Sequence, residues 1–226
     1  KRLRTLRITL SAALGIMLTL LIATTVLPHG FSAIAKIQLM PALLSLNIGI
    51  LAFWLVATSL LGRVYCSTVC PLGLFQDTCA RIGKQLKKKP KRRYRYSAAH
   101  NSLRYAVLAA TIIAGIAGAA AVPSLLDPYS AFVRMVGAIV APSAIGIAVG
   151  GITFVTIGAL AFSGGRTFCN TVCPVGATLS LASRKPMMRI QIDTSLCIGC
   201  RRCETECKAS CIDAKNHTVD MSRCVM

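Results

Sequence analysis

Gly62-Arg63-Val64-Tyr65-Cys66-Ser67-Thr68-Val69-Cys70-Pro71-Leu72-Gly73 returns 103 residues later as Gly165-Arg166-Thr167-Phe168-Cys169-Asn170-Thr171-Val172-Cys173-Pro174-Val175-Gly176, identical at eight of the twelve positions. Cysteines four apart share one face of a helical turn, so each copy can offer two sulfurs to one metal centre. The proline after each second cysteine turns that cysteine away from helical dihedrals and fixes the thiols at a chain reversal. Gly73 and Gly176 let backbone pass close to a bound group, and Arg63 and Arg166 bring positive charge to offset thiolates. For Cys66, Cys70, Cys169 and Cys173 the readings are one shared iron-sulfur centre, a zinc ion, disulfides or plain buried packing. The twofold repetition and the reducing cytoplasm favour the redox centre.

A third group, Cys197, Cys200, Cys203 and Cys207, has the Cys-x2-Cys-x2-Cys-x3-Cys spacing of bacterial ferredoxins, in which three cysteines hold one cubane and the fourth binds its neighbour. Zinc is the weaker reading, because zinc sites typically show separated pairs. Lys208 stands where a proline usually follows the fourth cysteine. Cys224 looks like the opening of a second such motif, so Cys207 and Cys224 would serve a second cube, and the native chain is expected to continue past Met226 with Cys-x2-Cys-x3-Cys. Cys211, outside the regular spacing, reads as a stand-in ligand or as packing, with packing favoured, and Cys79, with no counterpart in the second repeat, reads as structural. Arg201 and Arg202, inside the loop, should raise the cluster potential.

These thiols need elements to hold them, and the composition says which kind. Hydrophobic residues make up 54% of the 226 positions and charged residues 15%, with mean hydropathy +0.64. That is too apolar for an ordinary soluble domain. Apolar stretches at about Ile8–Leu27, Ala42–Leu61, Leu103–Val122 and Gly137–Phe162 each approach the ~20 residues a bilayer core requires. The expectation is an all-α membrane protein: four transmembrane helices as a parallel 2+2 repeat over residues 1–185, then a small α+β ferredoxin-like segment over 186–226. Short strands are expected at Met188–Asp193 and His217–Asp220, and an interfacial helix at Phe31–Met40. Asp127-Pro128-Tyr129 should turn the chain between the third and fourth spans.

The net charge of +19 reads as topology rather than nucleic-acid binding, since no recognition fold accompanies it. Lys1, Arg2, Arg4 and Arg7 precede the first span, and Arg81, Lys84, Lys87, Lys88, Lys89, Lys91, Arg92, Arg93 and Arg95 fill the loop after the second. Both termini and both copies of the cysteine motif are therefore expected on the cytoplasmic side of the inner membrane of a bacterium, in a multi-pass protein. The only histidines, His29, His100 and His217, lie outside the spans or at their ends, so no haem is expected. Ionisable groups are scarce in the spans, which argues against a proton pump or ion-coupled transporter.

Four spans, two copies of Cys-x3-Cys-Pro-x-Gly and a terminal ferredoxin run resemble the NapH/NosR/CcoG family of membrane-bound polyferredoxins over nearly the whole chain. The resemblance implies 4Fe-4S clusters on Cys197, Cys200, Cys203 and Cys207, a role for Cys66, Cys70, Cys169 and Cys173 as the family's paired motif, and electron relay between a quinol or cytoplasmic donor and a partner flavoprotein, cytochrome or reductase subunit. A NosR-like flavin domain is missing, and Val175-Gly176-Ala177-Thr178 is only a fragment of a flavinylation site. The competing reading is a membrane-anchored redox sensor, or a reductase or assembly factor for a metal such as copper.

Overall fold

The computed structural model describes residues 9, 12–17, 19–20, 48–86, 94–119, 121–184 and 186–225. The helices with defined bounds are α1 (Ile48–Leu61), α2 (Tyr65–Thr68), α3 (Pro71–Leu86), α4 (Asn101–Ile116), α5 (Ala121–Leu126), α6 (Pro128–Val140), α7 (Ala144–Gly164), α8 (Thr167–Thr171), α9 (Pro174–Ala182) and α10 (Arg202–Glu206). Two-residue strands β1 (Ile212–Asp213) and β2 (Thr218–Val219) pair antiparallel, with Ile212 opposite Val219.

Local chemistry sets several of these boundaries. The Asp127 carboxylate caps α6 by accepting from Ser130 N at 2.8 Å, with Pro128 opening the helix. Ser143 caps α7 through Gly146 N. Cys173 does the same for α9, its sulfur accepting from Gly176 N at 3.3 Å. At the core, α3 lies along α7, with the Phe75 and Phe154 rings 5.2 Å apart, and α6 closes onto α7 where Gly150 meets Ala138. Trp54, Tyr65, Leu72, Met135, Ile157, Phe168, Val175 and Leu179 bury their side chains around the four paired-motif cysteines.

Among the described residues the expected four-span transmembrane repeat is not formed. Among the described residues only α7, 21 residues with mean hydropathy 2.1, is long and apolar enough to cross a membrane. Helices α1, α4 and α6 have 14, 16 and 13 residues, about 20–24 Å at 1.5 Å per residue and short of the ~30 Å core. The stretch Leu103–Val122 breaks because α4 ends at Ile116 and Gly118 takes φ 78°. The stretch Gly137–Phe162 breaks at Ala141–Ser143, where Pro142 supplies no amide and α7 starts afresh. Residues 9, 12–17 and 19–20 of the first stretch are helical. Its remainder, the 42–47 start of the second and Phe31–Met40 lie outside the described residues.

The cysteine-rich tail also differs from expectation. Residues 188–193 form no strand; instead Met187 and Met188 donate to Ser59 and Leu60 carbonyls at 3.2 and 3.0 Å, satisfying the otherwise unpaired end of α1. The predicted strand His217–Asp220 shrinks to Thr218–Val219, with His217 at φ 53°. The tail is strapped to the helices by residues 94–97, with Tyr94 N on Thr205 O, Tyr96 N on Glu204 Oε1 and Ser97 N on Ser210 O at 3.0–3.3 Å.

Candidate metal centre

Both Gly-Arg junctions are built alike. Helices α1 and α7 each end at a glycine in the left-handed region, Gly62 at φ 75° and Gly165 at φ 74°, a conformation that favours glycine. The turn sends the next residue inward, so Arg63 and Arg166 are 0% and 2% exposed. Each then reaches the other copy of the motif: Arg63 Nη2 donates to Cys169 O at 3.1 Å, and Arg166 Nη1 donates to Cys66 O at 2.8 Å. The following glycines repeat the correspondence. A Cβ on Gly73 would lie 2.3 Å from Cys66 O, and one on Gly176 would lie 2.2 Å from Cys169 O. Two carbonyls, two cations and two glycines thus surround four buried thiols, Cys66, Cys70, Cys169 and Cys173.

The surroundings of the two arginines differ. Arg166 Nε pairs with Asp77 Oδ1 at 2.9 Å, and Lys208 Nζ lies 3.4 Å from the other Asp77 oxygen. Burial pushes the Asp77 carboxyl up, but Arg166 and Lys208 outweigh it and hold the group below its ordinary range. Arg63 has no carboxylate among the described residues. It donates instead to Asn170 Oδ1 at 2.7 Å, Ser222 O at 3.3 Å and Cys66 Sγ at 3.8 Å. Gln76 donates to Cys169 Sγ at 3.3 Å.

Burial, and then the fields of neighbouring thiols, raise Cys70 and Cys173 well above the usual thiol range and push Cys169 up to about 11, although Arg166 and Arg63 pull against the Cys169 shift. Each of these thiols feels sulfurs of the other copy, so the two motifs lie close together. Without a bound cation Cys70, Cys169 and Cys173 are held protonated.

The tail cysteines divide into two places. Cys207 and Cys224 share a small core with Cys211, Ala209 and Met221. Cys207 Sγ and Cys211 Sγ are 3.5 Å apart, and the hydrogen bond from Cys211 pulls the Cys207 thiol down to about 6. Cys211, read from sequence as packing, touches both groups expected to serve the second cube. Cys197 and Cys200 are exposed on a loop that includes Gly199 at φ 69° and Arg201 at φ 53°, Cys203 is exposed on α10, and they join neither buried group. Cys79 sits half-buried on α3.

Asp77, Gln76, Asn170 and Arg104 contribute to the site without having been singled out from sequence. Asp77 carried one usable signal, being one of only seven acidic residues in the chain. Lys208, the departure from the ferredoxin pattern, has a structural use: its carbonyl accepts from Arg166 N at 3.0 Å while its amine faces Asp77.

The family model for a 4Fe-4S binding domain matches residues 44–90 and 147–192. The chain is an iron-sulfur protein. Each match contains one copy of the repeated motif, Cys66 and Cys70 in the first and Cys169 and Cys173 in the second, so 4Fe-4S binding attaches to this chain. It is similar to two uncharacterized proteins of Methanocaldococcus jannaschii: MJ0749, 28% identical over 68% of this chain and 54% of the relative, and MJ0750, 29% identical over 67% of this chain and 61% of the relative. The chain thus spans little more than half the length of these curated relatives. No solved structure matches it.

The residues of the paired site fit such a group. Four thiols, free of disulfides, supply the ligand type that cubanes take. An oxidised cubane with four thiolates carries about −2 charge, against which Arg63 and Arg166 are two buried cations, one already offset by Asp77. The Arg63 Nε has no hydrogen-bond partner, consistent with a cation placed to meet diffuse negative charge. Among the described residues no group of three or more His, Cys, Asp or Glu is gathered closely enough to hold a metal ion as the side chains stand.

Proposed function

We propose that the protein is a membrane-bound electron-transfer subunit in which Cys66, Cys70, Cys169 and Cys173 hold one shared 4Fe-4S centre, and in which the tail from 186 onward carries further cubane ligands at Cys197, Cys200, Cys203, Cys207 and Cys224. The observation that carries the reading is the convergence of two copies of one motif into one buried cluster with four thiols and two arginines. A cubane supplies reversible one-electron chemistry when bound. The chain's own residues exclude water, hold the thiols by carbonyl-to-arginine contacts and set the local charge.

Membrane attachment is supported by α7, whose side chains Ile145, Ile152 and Val155 are 79%, 68% and 66% exposed, an apolar surface suited to lipid. The excess of Lys and Arg near the cysteines favours the cytoplasmic face of the cytoplasmic membrane. The exposed cysteine segment, with Arg201 and Arg202 inside it, suits a partner redox protein with an acidic docking surface. A quinol or a cytoplasmic carrier would supply the electrons. Anaerobic purification with iron and sulfide counting and EPR of the reduced protein tests this reading; about four irons per complete site are expected, and zinc in their place overturns it.

A further inference from the structure

A cavity of about 470 Å³ lies between the end of α9, segment 186–192 and β2 and contains no cysteine. Its volume is that of a small-molecule site. Arg184, Arg189, His217 and Thr218 supply polar lining, and Ile192 and Met221 apolar lining. No carboxylate lines it, and among the described residues none pairs with Arg184 or Arg189. The acids nearest in sequence are engaged elsewhere: Asp193 accepts from Ser195 at 2.6 and 2.9 Å, and Asp220 from Ser222 and Arg223 at 2.7 Å each.

The walls are held in place without a ligand. Met187 N and Met188 N anchor one wall to the end of α1, and the other is the hairpin in which Val219 faces Ile212. Arg184 Nη2 donates to Tyr105 Oη at 3.0 Å. In the amide orientation that satisfies both side chains, Gln191 accepts from Arg189 Nε at 2.8 Å and Nη2 at 3.1 Å. Unpaired arginines at a surface are ordinary. A second observation sets these apart: His217, held at φ 53°, has its Nδ1 buried with no hydrogen-bond partner, an unmet need that a bound polar group would satisfy.

We propose that this cavity binds a phosphate ester, with its phosphate on Arg184 and Arg189 and its organic body against Ile192 and Met221. Guanidinium forks match phosphate oxygens, and Thr218 and His217 offer further polar contacts beyond the two oxygens of a carboxylate. The apolar lining suits an organic body rather than a bare ion. A membrane-lipid headgroup and a soluble phosphate ester share this chemistry; exposed Met187 and Met188, beside Arg189, suit the acyl chains of the first.

Isothermal titration calorimetry of the full chain in detergent tests the proposal, with glycerol 3-phosphate, a short-chain phosphatidic acid and, as zwitterionic control, the matching phosphatidylcholine. Saturable binding of at least one phosphate monoester is expected, tighter than phosphatidylcholine. Arg184→Gln and Arg189→Gln should each weaken it at least about tenfold, the loss expected for one charge-assisted hydrogen bond. Arg81→Gln, an exposed charge on α3, should leave it unchanged. Both cavity arginines are exposed, so thermal stability should stay that of wild type in all three variants. Binding of phosphatidic acid alone identifies the lipid source, and binding of glycerol 3-phosphate the soluble one. No binding of either monoester, equal binding of phosphatidylcholine, or an equal loss in Arg81→Gln overturns the proposal.

Discussion

Replacing Gly176 by alanine should damage the paired site more than any other single-methyl addition to it. The new Cβ would stand 2.2 Å from Cys169 O and 2.7 Å from Arg63 Nη2. A C···O contact closer than about 3.3 Å is rare, so the carbonyl must retreat by about 1 Å. That retreat breaks the 3.1 Å bond from Arg63 and swings the Cys169 thiol with it. Overpacking of this kind costs about 1–3 kcal/mol and a hydrogen bond to a charged donor about 1.5–3 kcal/mol; because the two overlap, the expected loss is about 2–4 kcal/mol. Chemical denaturation of the anaerobically prepared protein reads the stability, and iron content reads the site. Gly115→Ala, in α4 with nothing within 4 Å of the added carbon, is the control and should be neutral or gain up to about 1 kcal/mol. If Gly176→Ala matches wild type in both stability and iron, the cradle has been misread.

Asp77→Asn should cost about 3 kcal/mol in unfolding experiments, because it leaves Arg166 buried without its counter-charge, and in iron-loaded protein it should raise the potential of the paired centre. Asp77 has a depressed folded pKa, so its contribution is present above the ordinary carboxylate pKa of about 3.9 and is lost as pH falls through the lower folded value; acid unfolding of Asp77→Asn should accordingly show a weaker pH dependence below about 4. The thiols act in the opposite sense. Cys70, Cys169 and Cys173 are raised, Cys169 to about 11, so metal-free protein should be progressively destabilised from about pH 8.5 toward pH 11, while iron-loaded protein, its thiolates already formed, should show little of this loss.

The chemistry was more legible in the sequence than the architecture. The repeated motif showed its own partner, because two copies of Gly-Arg-x-aromatic-Cys carry the same instructions for a left-handed turn, an inward arginine and a thiol pair. In the tail, Cys207 and Cys224 lie together while Cys197, Cys200 and Cys203 are exposed. The spans failed where hydropathy averages over punctuation: Gly118 and Pro142 stop helices that a ~20-residue window runs through. Asp77, Gln76, Asn170 and Arg104 were hidden because their roles depend on contacts across 89 to 118 positions of sequence, or, for Asn170, on a partner 107 residues away. Nothing local marks such residues. Cys211 was weighed as a stand-in ligand and read as packing because its spacing is irregular, yet folding brings it against Cys207 and Cys224.

The central claim is that two motifs make one centre, and iron stoichiometry in a double-mutant cycle tests it most directly. Cys66→Ser and Cys169→Ser, purified anaerobically singly and together, should each lose the same set of about four irons, and the double variant should lose no more than either single one. Losses that add, with each motif forfeiting its own iron independently, would contradict a shared site.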